Sequence, residues 1–581
     1  MGRAAHSPPD QWTQIAAGCL AGGFVVLFTW LTLGGVHWDA RLPVAFRGDA
    51  LFYLAQSKAT IAHGWWWTNP SIGAPLGYQG LAFAQNTNVD QAIVWIVGRF
   101  TRDVGLATNV AWLIMLGLSG ATATWGLGRI GISRPGAIAA GVLFALTPFA
   151  IYRNIGHLNL VTYLIPFAAT TALLLAATER DRLVHARDLA VPLGGCALLG
   201  FNYIYFAFFG AFLIGVGALI GAARTRSVVP LRLGALCLGV VITATSVNLI
   251  PNVMIWRTFG QPSGVQHAPA ESEIYGLKIR HLITPTLGHW FPPFVAWVSR
   301  DSEAKALNEN ENQSARLGTV GAAAFLGLLA VIVFPASGGR EQSRRMLHAA
   351  AALAVAIVLL GTTGGFGAVF SLLVSPEIRA YNRVSPFVAY FALVAVALWV
   401  DRHAARRGRW RAGLWPVLLI VGLADQKTAF IHVTSERPFI EREYRAAALI
   451  ARELEAQLPD QAMVYQLPVR PYPFDPGVER MSAYDHFRPY LVTHRLRWSY
   501  PAMTRDQRRW ERTVAQVDEA ELARYLAGQG FSAILINRDG YPDGGRLVEQ
   551  ALRAAGATLM SSTDRFVSLD LRALPGASGS R

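Results

Sequence analysis

Arg47-Gly48-Asp49-Ala50-Leu51-Phe52-Tyr53 follows closely on Thr13–Gly35, a mostly apolar run (TQIAAGCLAGGFVVLFTWLTLGG), and this pair decides the fold. A membrane-crossing helix needs ~20 mostly apolar residues. Thr13–Gly35 supplies them, exceeds a signal-peptide core and precedes no small-residue cleavage site, so it reads as a retained span. The stretch after it is polar yet keeps an apolar side. Asp49, Gln56 and His63, spaced by seven, share one face of a helix. Leu51, Phe52, Leu54, Ala55 and Ala62 give that helix an apolar side, which predicts that it lies in the membrane interface. Trp65-Trp66-Trp67 suits headgroup depth. Asn69 to Gly77 reads as a rigid turn-rich loop, and Gln85, Asn86, Asn88 and Asp90 cluster before apolar sequence resumes.

The rest of the chain agrees with a membrane reading. Of 581 residues, 52% are hydrophobic and 15% charged, against roughly 25% charged in soluble domains. The mean hydropathy is +0.32. The chain lacks the charge to coat several soluble domains, and 29 Phe, 17 Trp and 17 Tyr exclude disorder. A net charge of +15 would point to nucleic acid in a soluble protein. Here arginine gathers in short loops between apolar segments, as cytoplasmic loops require, and no nucleic acid is expected. Cys19, Cys196 and Cys237 lie in apolar stretches and make no metal-ligand spacing.

Apolar segments recur near 106–128, 135–151, 158–178, 188–202, 203–222, 233–255, 317–335, 347–362, 386–400 and 412–424. With the first, this predicts an all-α polytopic membrane protein of about eleven transmembrane helices. The pair meeting at Asn202 and Tyr203 is short, which predicts a tilted, broken or re-entrant element. Arginine-rich loops near 129–134, 180–187, 224–232, 340–345 and 402–411 are expected inside. Parity then puts the N-terminus inside and three longer loops outside, at 36–105, 256–316 and 363–385. Residues 1–424 form the membrane domain in this reading, and 425–581 an outer domain. In that tail Ile440–Leu458 reads as an amphipathic helix, Ala462–Val469 as a strand and Arg470–Arg509 as a long structured loop. Helices at Glu519–Gly528 and Gly545–Ala555 alternate with strands at Ser532–Ile536, Ala557–Ser561 and Phe566–Leu571, an α/β pattern.

The chain contains no G-x-x-x-x-G-K-[ST] loop, no H-E-x-x-H helix, no G-x-S-x-G elbow and no D-x-D pair. Its candidate chemistry faces outward. Asp49 is a lone carboxylate at the mouth of a membrane protein, where partial dryness favours taking a proton from a hydroxyl; it serves equally as a helix cap behind Gly48. Arg153 and His157 stand where two spans meet, fit to hold a lipid phosphate and to relay a proton or bind a hydroxyl, or to snorkel and hydrogen-bond at the interface. In the 256–316 loop, Lys278 and Arg280 are candidates for a phosphate, and Glu271 or Glu273, beside Tyr275, for a second acid or a metal ligand. The run Asn308-Glu309-Asn310-Glu311-Asn312-Gln313 reads as solvated loop. Arg379 and Arg383, four apart, are expected on one helical face as a phosphate clamp. Tyr484-Asp485-His486-Phe487-Arg488 mixes aromatic and polar groups, which suits a sugar ring or packing against the membrane domain.

An N-terminal span, an outer loop with an acid near its start, many further spans and an outer C-terminal domain resemble the GT-C superfamily of integral membrane glycosyltransferases. The residue-level likeness rests on Asp49. Many members carry two adjacent acids there; this chain has Arg47-Gly48-Asp49, with Asp39 ten residues earlier. The resemblance implies a polyprenyl-phosphate-linked sugar as donor, membrane lipids as partners, and a site on the outer face of a bacterial-type inner membrane. It implies inverting transfer to an envelope glycan, lipid or protein acceptor, with Asp49 as base. Arg379, Arg383, Lys278 and Arg153 would take the donor phosphate, and His157, Asp90, Glu273, Tyr275 and Gln56 the acceptor or sugar. A divalent cation stays open as cofactor. The rival readings are a flippase or transporter, a non-catalytic envelope-assembly scaffold and a phosphoglycerol-type transferase.

Overall fold

Backbone polar groups in a bilayer must be satisfied within their own segment, and the apolar stretches accordingly form helices. The computed structural model describes residues 11–84, 86–178, 186–260, 267–286, 288–303, 310–334, 340–404 and 413–575. Gln85, Asn308, Glu309 and parts of the arginine-rich loops at 180–187 and 402–411 lie outside the described residues. Among the described residues, eight helical segments are long and apolar enough to span: Trp12–Thr32, Val104–Arg129, Arg134–Leu160, Ile204–Thr225, Val229–Phe259, Glu341–Gly361, Tyr381–His403 and Leu414–Gln457. Ile165–Ala177, Ala190–Gly200 and Gly318–Val333 are apolar but shorter. Together these segments occupy the eleven expected places. The pair at Asn202 is broken: one helix ends at Gly200 and the next starts at Ile204. The last apolar helix continues past 424 to Ser435. It can carry Asp425 because His289 Nε2 lies 3.0 Å from that carboxylate and the Thr319 amide donates to it.

Small residues bring the first spans together. A Cβ on Gly22 would meet the Gly117 carbonyl oxygen at 2.7 Å, so the Trp12–Thr32 helix crosses Val104–Arg129 backbone to backbone.

The helix Asp49–His63 forms as its periodicity predicts, but it is not an interfacial helix. Ala50 to Ile61 are buried without interruption, Gln56 and Lys58 included. The polar face is covered by protein from the far end of the chain: the Lys58 ammonium donates to the carbonyls of Tyr490 and Thr493 and sits 4.2 Å from the Tyr490 ring. Amphipathicity specifies a buried stripe, and here a second partner takes the other face.

The tail holds a five-stranded mixed sheet in the order Arg497–Trp498, Met463–Leu467, Phe531–Asn537, Phe566–Asp570, Thr558–Ser562. The first three strands run parallel and the last two antiparallel. Leu522, Leu526, Val548 and Leu552 of the helices Glu519–Gly528 and Arg546–Ala554 pack on Ile534, Ile536, Val567 and Leu569. At the edge strand the first outer loop joins in: the Trp498 amide donates to the Ser71 carbonyl at 2.9 Å, and the Ala74 amide to the Trp498 carbonyl at 2.9 Å. Loop and tail therefore form one body that fixes the Asp49 helix.

Within the stretch read as loop, Arg505–Ala515 is a helix. Its signal is the pair Thr504 and Gln507, which form a reciprocal capping box: the Gln507 amide donates to Thr504 Oγ1 at 3.3 Å and the Thr504 amide to Gln507 Oε1 at 2.9 Å. Glu511 on this helix lines a narrow cleft with Tyr465 and Trp510. Burial pushes its pKa up to about 7, against the opposing Arg508. A carboxyl raised above its unfolded value of about 4.3 stabilises below that value and loses the contribution as pH rises through about 7. Glu511→Gln is therefore expected to raise the thermal midpoint of the detergent-solubilised protein at pH 8 and leave it unchanged at pH 4; an equal shift at both would refute the titration.

Candidate functional site

Two local backbone features aim the central residues. Gly48, at φ +54, turns the chain into the Asp49–His63 helix without any side-chain cap, so the cap expected of Asp49 is not made. The Asp49 carboxylate instead reaches the Asn154–Leu160 turn, where Asn154 at φ +32 and a kink at His157 break the helix that precedes it. His157 Nε2 lies 3.0 Å from Asp49 Oδ2, 3.4 Å from Arg153 Nη1 and 3.7 Å from Glu311 Oε1.

Glu311 is the hub. Arg153 Nη2 lies 3.0 Å from Glu311 Oε2 and Arg383 Nη2 3.2 Å from the same oxygen. Burial alone would raise the Glu311 carboxyl; Arg153, Arg383 and His157 around it hold it well below the usual range. The amide-rich run, read as solvated, is ordered from Asn310 to Ala315 as a short helical turn. Asn312 is fully buried, accepting from the Lys278 amide and donating to the Gly276 carbonyl. Charge in this run is explained by the arginines it faces, which lie far away in sequence.

Arg383 also donates to the Tyr203 hydroxyl, with its guanidinium 5.0 Å from the Tyr205 ring. Those two rings stack at 5.0 Å in the break between two spans. Beside this cluster opens a cavity of about 440 Å³ lined by Tyr152, Arg153, His157, Glu311, Ser314 and His432, within the size range of small-molecule sites, roughly 300–1,000 Å³. Asp49, at 45% side-chain exposure, is the accessible acid; Arg153 is at 7%.

The remaining candidates are held by other partners, Arg379 beside the cluster with its amide donating to the Tyr205 hydroxyl at 3.2 Å. Arg379 and Arg383 do not share a helical face, because the helical turn starts only at Tyr381. Arg379 is bound to Glu271 and lies between the rings of Tyr275 and Phe474, 5.1 and 5.4 Å from their centroids. Burial tends to raise Glu271, but its hydrogen bond from Arg379 holds it below the usual range. Lys278 Nζ donates to the Ile274 carbonyl at 3.1 Å. Glu273 accepts the Gly364 amide at 2.8 Å. The Tyr275 carbonyl accepts from the Asn382 amide. Asp90 is buried and accepts from the Tyr163 hydroxyl at 2.6 Å and from Asn202 at 3.2 Å, which pins the first outer loop to the spans. Gln56 is buried two helical turns from Asp49, about 10 Å along the axis. Of the candidates read from sequence, the structure thus gathers Asp49, His157, Arg153 and Arg383, and adds Glu311 and Tyr203. Tyr484 to Arg488 are packing residues: Asp485, His486 and Arg488 are all buried.

Among the described residues, no group of three or more His, Cys, Asp or Glu side chains is arranged to hold a metal ion. The oxygens of Glu311 already face two guanidinium groups. Among the described residues the donor set does not fit a resident divalent cation, and fixed positive charge comes from arginine.

No protein-family model matches the chain, and no curated protein matches it. Solved structures do. ArnT from Cupriavidus metallidurans bound to undecaprenyl phosphate is 15% identical, with a TM-score of 0.53, over 97% of this chain and 100% of that one. The same protein in the apo state is 14% identical, with a TM-score of 0.52 and the same coverage. The chain is a multi-pass membrane protein with the fold of ArnT over nearly its whole length.

Proposed function

We propose that the protein transfers a sugar from a polyprenyl-phosphate donor to an envelope acceptor on the outer face of the inner membrane, with the tail from about 425 on that same side. The observation that carries this reading is the meeting of a half-exposed carboxylate, Asp49, with a two-arginine cluster beside one cavity. ArnT, whose fold this is, binds undecaprenyl phosphate, and the same class of lipid phosphate is proposed here. Asp49 takes the proton of the acceptor hydroxyl as its oxygen bonds to the anomeric carbon. The bond from that carbon to the phosphate oxygen breaks, its electron pair leaves with the polyprenyl phosphate, and the sugar inverts. Arg153 and Arg383 supply positive charge where phosphate charge grows, which is worth most in a water-poor site. His157 orients Asp49 and the acceptor. Arg379 and Lys278 belong to the outer rim of this donor site, with Tyr275 and Glu273.

The test is lipid and glycan mass spectrometry of a deletion strain against its parent. The expected result is loss of one sugar increment from an envelope glycan together with accumulation of the matching polyprenyl-phosphate sugar. An unchanged glycan profile would overturn the proposal and favour transport.

A further inference from the structure

The helix Arg505–Ala515 (RDQRRWERTVA) carries four arginines at positions i, i+3, i+4 and i+7, which place Arg505, Arg508, Arg509 and Arg512 within one face about 100° wide. The opposite face is buried or turned inward: Gln507 and Val514 are buried, and Trp510 and Glu511 line the cleft against Tyr465. The helix's second acid, Asp506, flanks the arginine face with its oxygen 3.7 Å from Arg505 Nε. Arg505, Arg509 and Arg512 are exposed, and among the described residues neither Arg509 nor Arg512 forms an ion pair. With Glu511 turned inward, the outer surface of the helix carries three exposed arginines and one acid, Asp506, at its edge.

An arginine face on a helix is by itself a solvated surface; its position distinguishes this one. Arg505 stands against Gly260, the residue that ends the span Val229–Phe259: a Cβ there would lie 4.0 Å from Arg505 Cβ and Cδ. The same end of that span carries the exposed Arg257 and the indole of Trp256, which donates to the Ala82 carbonyl at 2.9 Å. Trp65 and Ile255 pack on one small cluster at this level. Tryptophan at a helix end marks headgroup depth. The arginine face therefore starts at the bilayer surface rather than out in solvent.

We propose that Arg505, Arg509 and Arg512, with Arg257, form a docking surface for anionic phospholipid headgroups, which seats the tail against the membrane. Guanidinium groups match phosphate geometry bidentately, and clusters of arginine beside a span are attracted to an anionic leaflet. This proposal rests on the membrane fold and not on the reaction.

The experiment uses the full chain in nanodiscs of phosphatidylcholine mixed with phosphatidylglycerol, with native mass spectrometry reading which lipid stays bound on release. The wild type is expected to retain phosphatidylglycerol preferentially, and less so as salt is raised. The variant Arg505→Gln/Arg509→Gln/Arg512→Gln is expected to lose about a hundredfold of that preference, each arginine near an anionic surface contributing about a factor of five. A charge-matched variant, Arg524→Gln/Arg546→Gln/Arg553→Gln, removes three exposed arginines elsewhere in the tail and is expected to keep the preference. Equal loss in both variants would reduce the effect to net charge and overturn the proposal. No loss in either would return the helix to a solvated face. Displacement of the lipid by inorganic phosphate at equal concentration would show a phosphate site rather than a membrane surface.

Discussion

Asp49→Asn is expected to lower sugar transfer by about 10²–10⁴-fold, the range that a positioned general base contributes, while the purified protein retains polyprenyl phosphate as the wild type does. Asparagine keeps the size of the side chain and can still bond His157, 3.0 Å away. It cannot take the acceptor's proton. The lost interaction forms only as that proton leaves, so kcat and kcat/KM should fall together. Lipid-phosphate retention is the second readout because Asp49 forms no ion pair with Arg153 or Arg383; those arginines stay paired with Glu311. A base that acts directly also ranks the neighbours: His157→Gln should cost less than Asp49→Asn, since it removes only the group that holds the carboxylate. Wild-type turnover in Asp49→Asn, at matched protein level, would remove Asp49 from the chemistry. A deeper loss in His157→Gln would move the base to the imidazole.

What could be read from sequence follows the range over which each signal acts. Spans declare themselves by hydropathy within ~20 residues, and the tail's helices and strands by period. The Glu519–Gly528 helix appears at its expected bounds. The helix after Gly48 was legible for the same reason, but its burial was not, because Lys58 meets carbonyls more than 430 residues away. Glu311 lay in plain view in a run without apolar period, the usual mark of a surface loop. Its role is set by Arg153 and Arg383, 158 and 72 residues distant. An outer-face arginine inside a span, such as Arg153, needs a partner, and that need was the one available pointer to an acid elsewhere. The shared helical face expected of Arg379 and Arg383 failed on a local matter: four residues apart is one face only where the backbone is helical.

Arg488→Met is expected to destabilise the protein by about 3–5 kcal/mol, the cost of stripping one partner from a buried ion pair. Arg488, at 2% exposure, lies 2.7 Å from Glu443 and 3.0 Å from Asp485, which are at 4% and 1%. Arg565 completes the knot, bound to Glu443 and 3.6 Å from Asp485. Arg442 and Asp539 extend the cluster, 3.3 Å from Glu443 and 3.1 Å from Arg565, and removing Arg488 leaves the buried acids Glu443 and Asp485 one positive charge poorer. Adding Glu443→Gln removes one of those acids and restores the net charge of the cluster, so the double variant should recover much of the loss in thermal midpoint. Acid should help the single variant. Burial already pushes the Asp485 pKa up to about 6, and losing Arg488 pushes it further, so the carboxyl is neutral over a wider range. A folded value above the unfolded one stabilises below about pH 3.9 and loses that contribution as pH rises through the folded value. The deficit of Arg488→Met should therefore be smaller at pH 5 than at pH 8; a deficit independent of pH, unrelieved by Glu443→Gln, would mean that packing rather than charge holds this place. The knot also reaches the site. Arg488 Nη2 donates to the Phe46 carbonyl at 3.4 Å, and its guanidinium lies 5.9 Å from the Phe46 ring, three residues ahead of Asp49. Loosening it should cost transfer activity even in the molecules that stay folded, because the turn at Gly48 that aims Asp49 hangs from this contact.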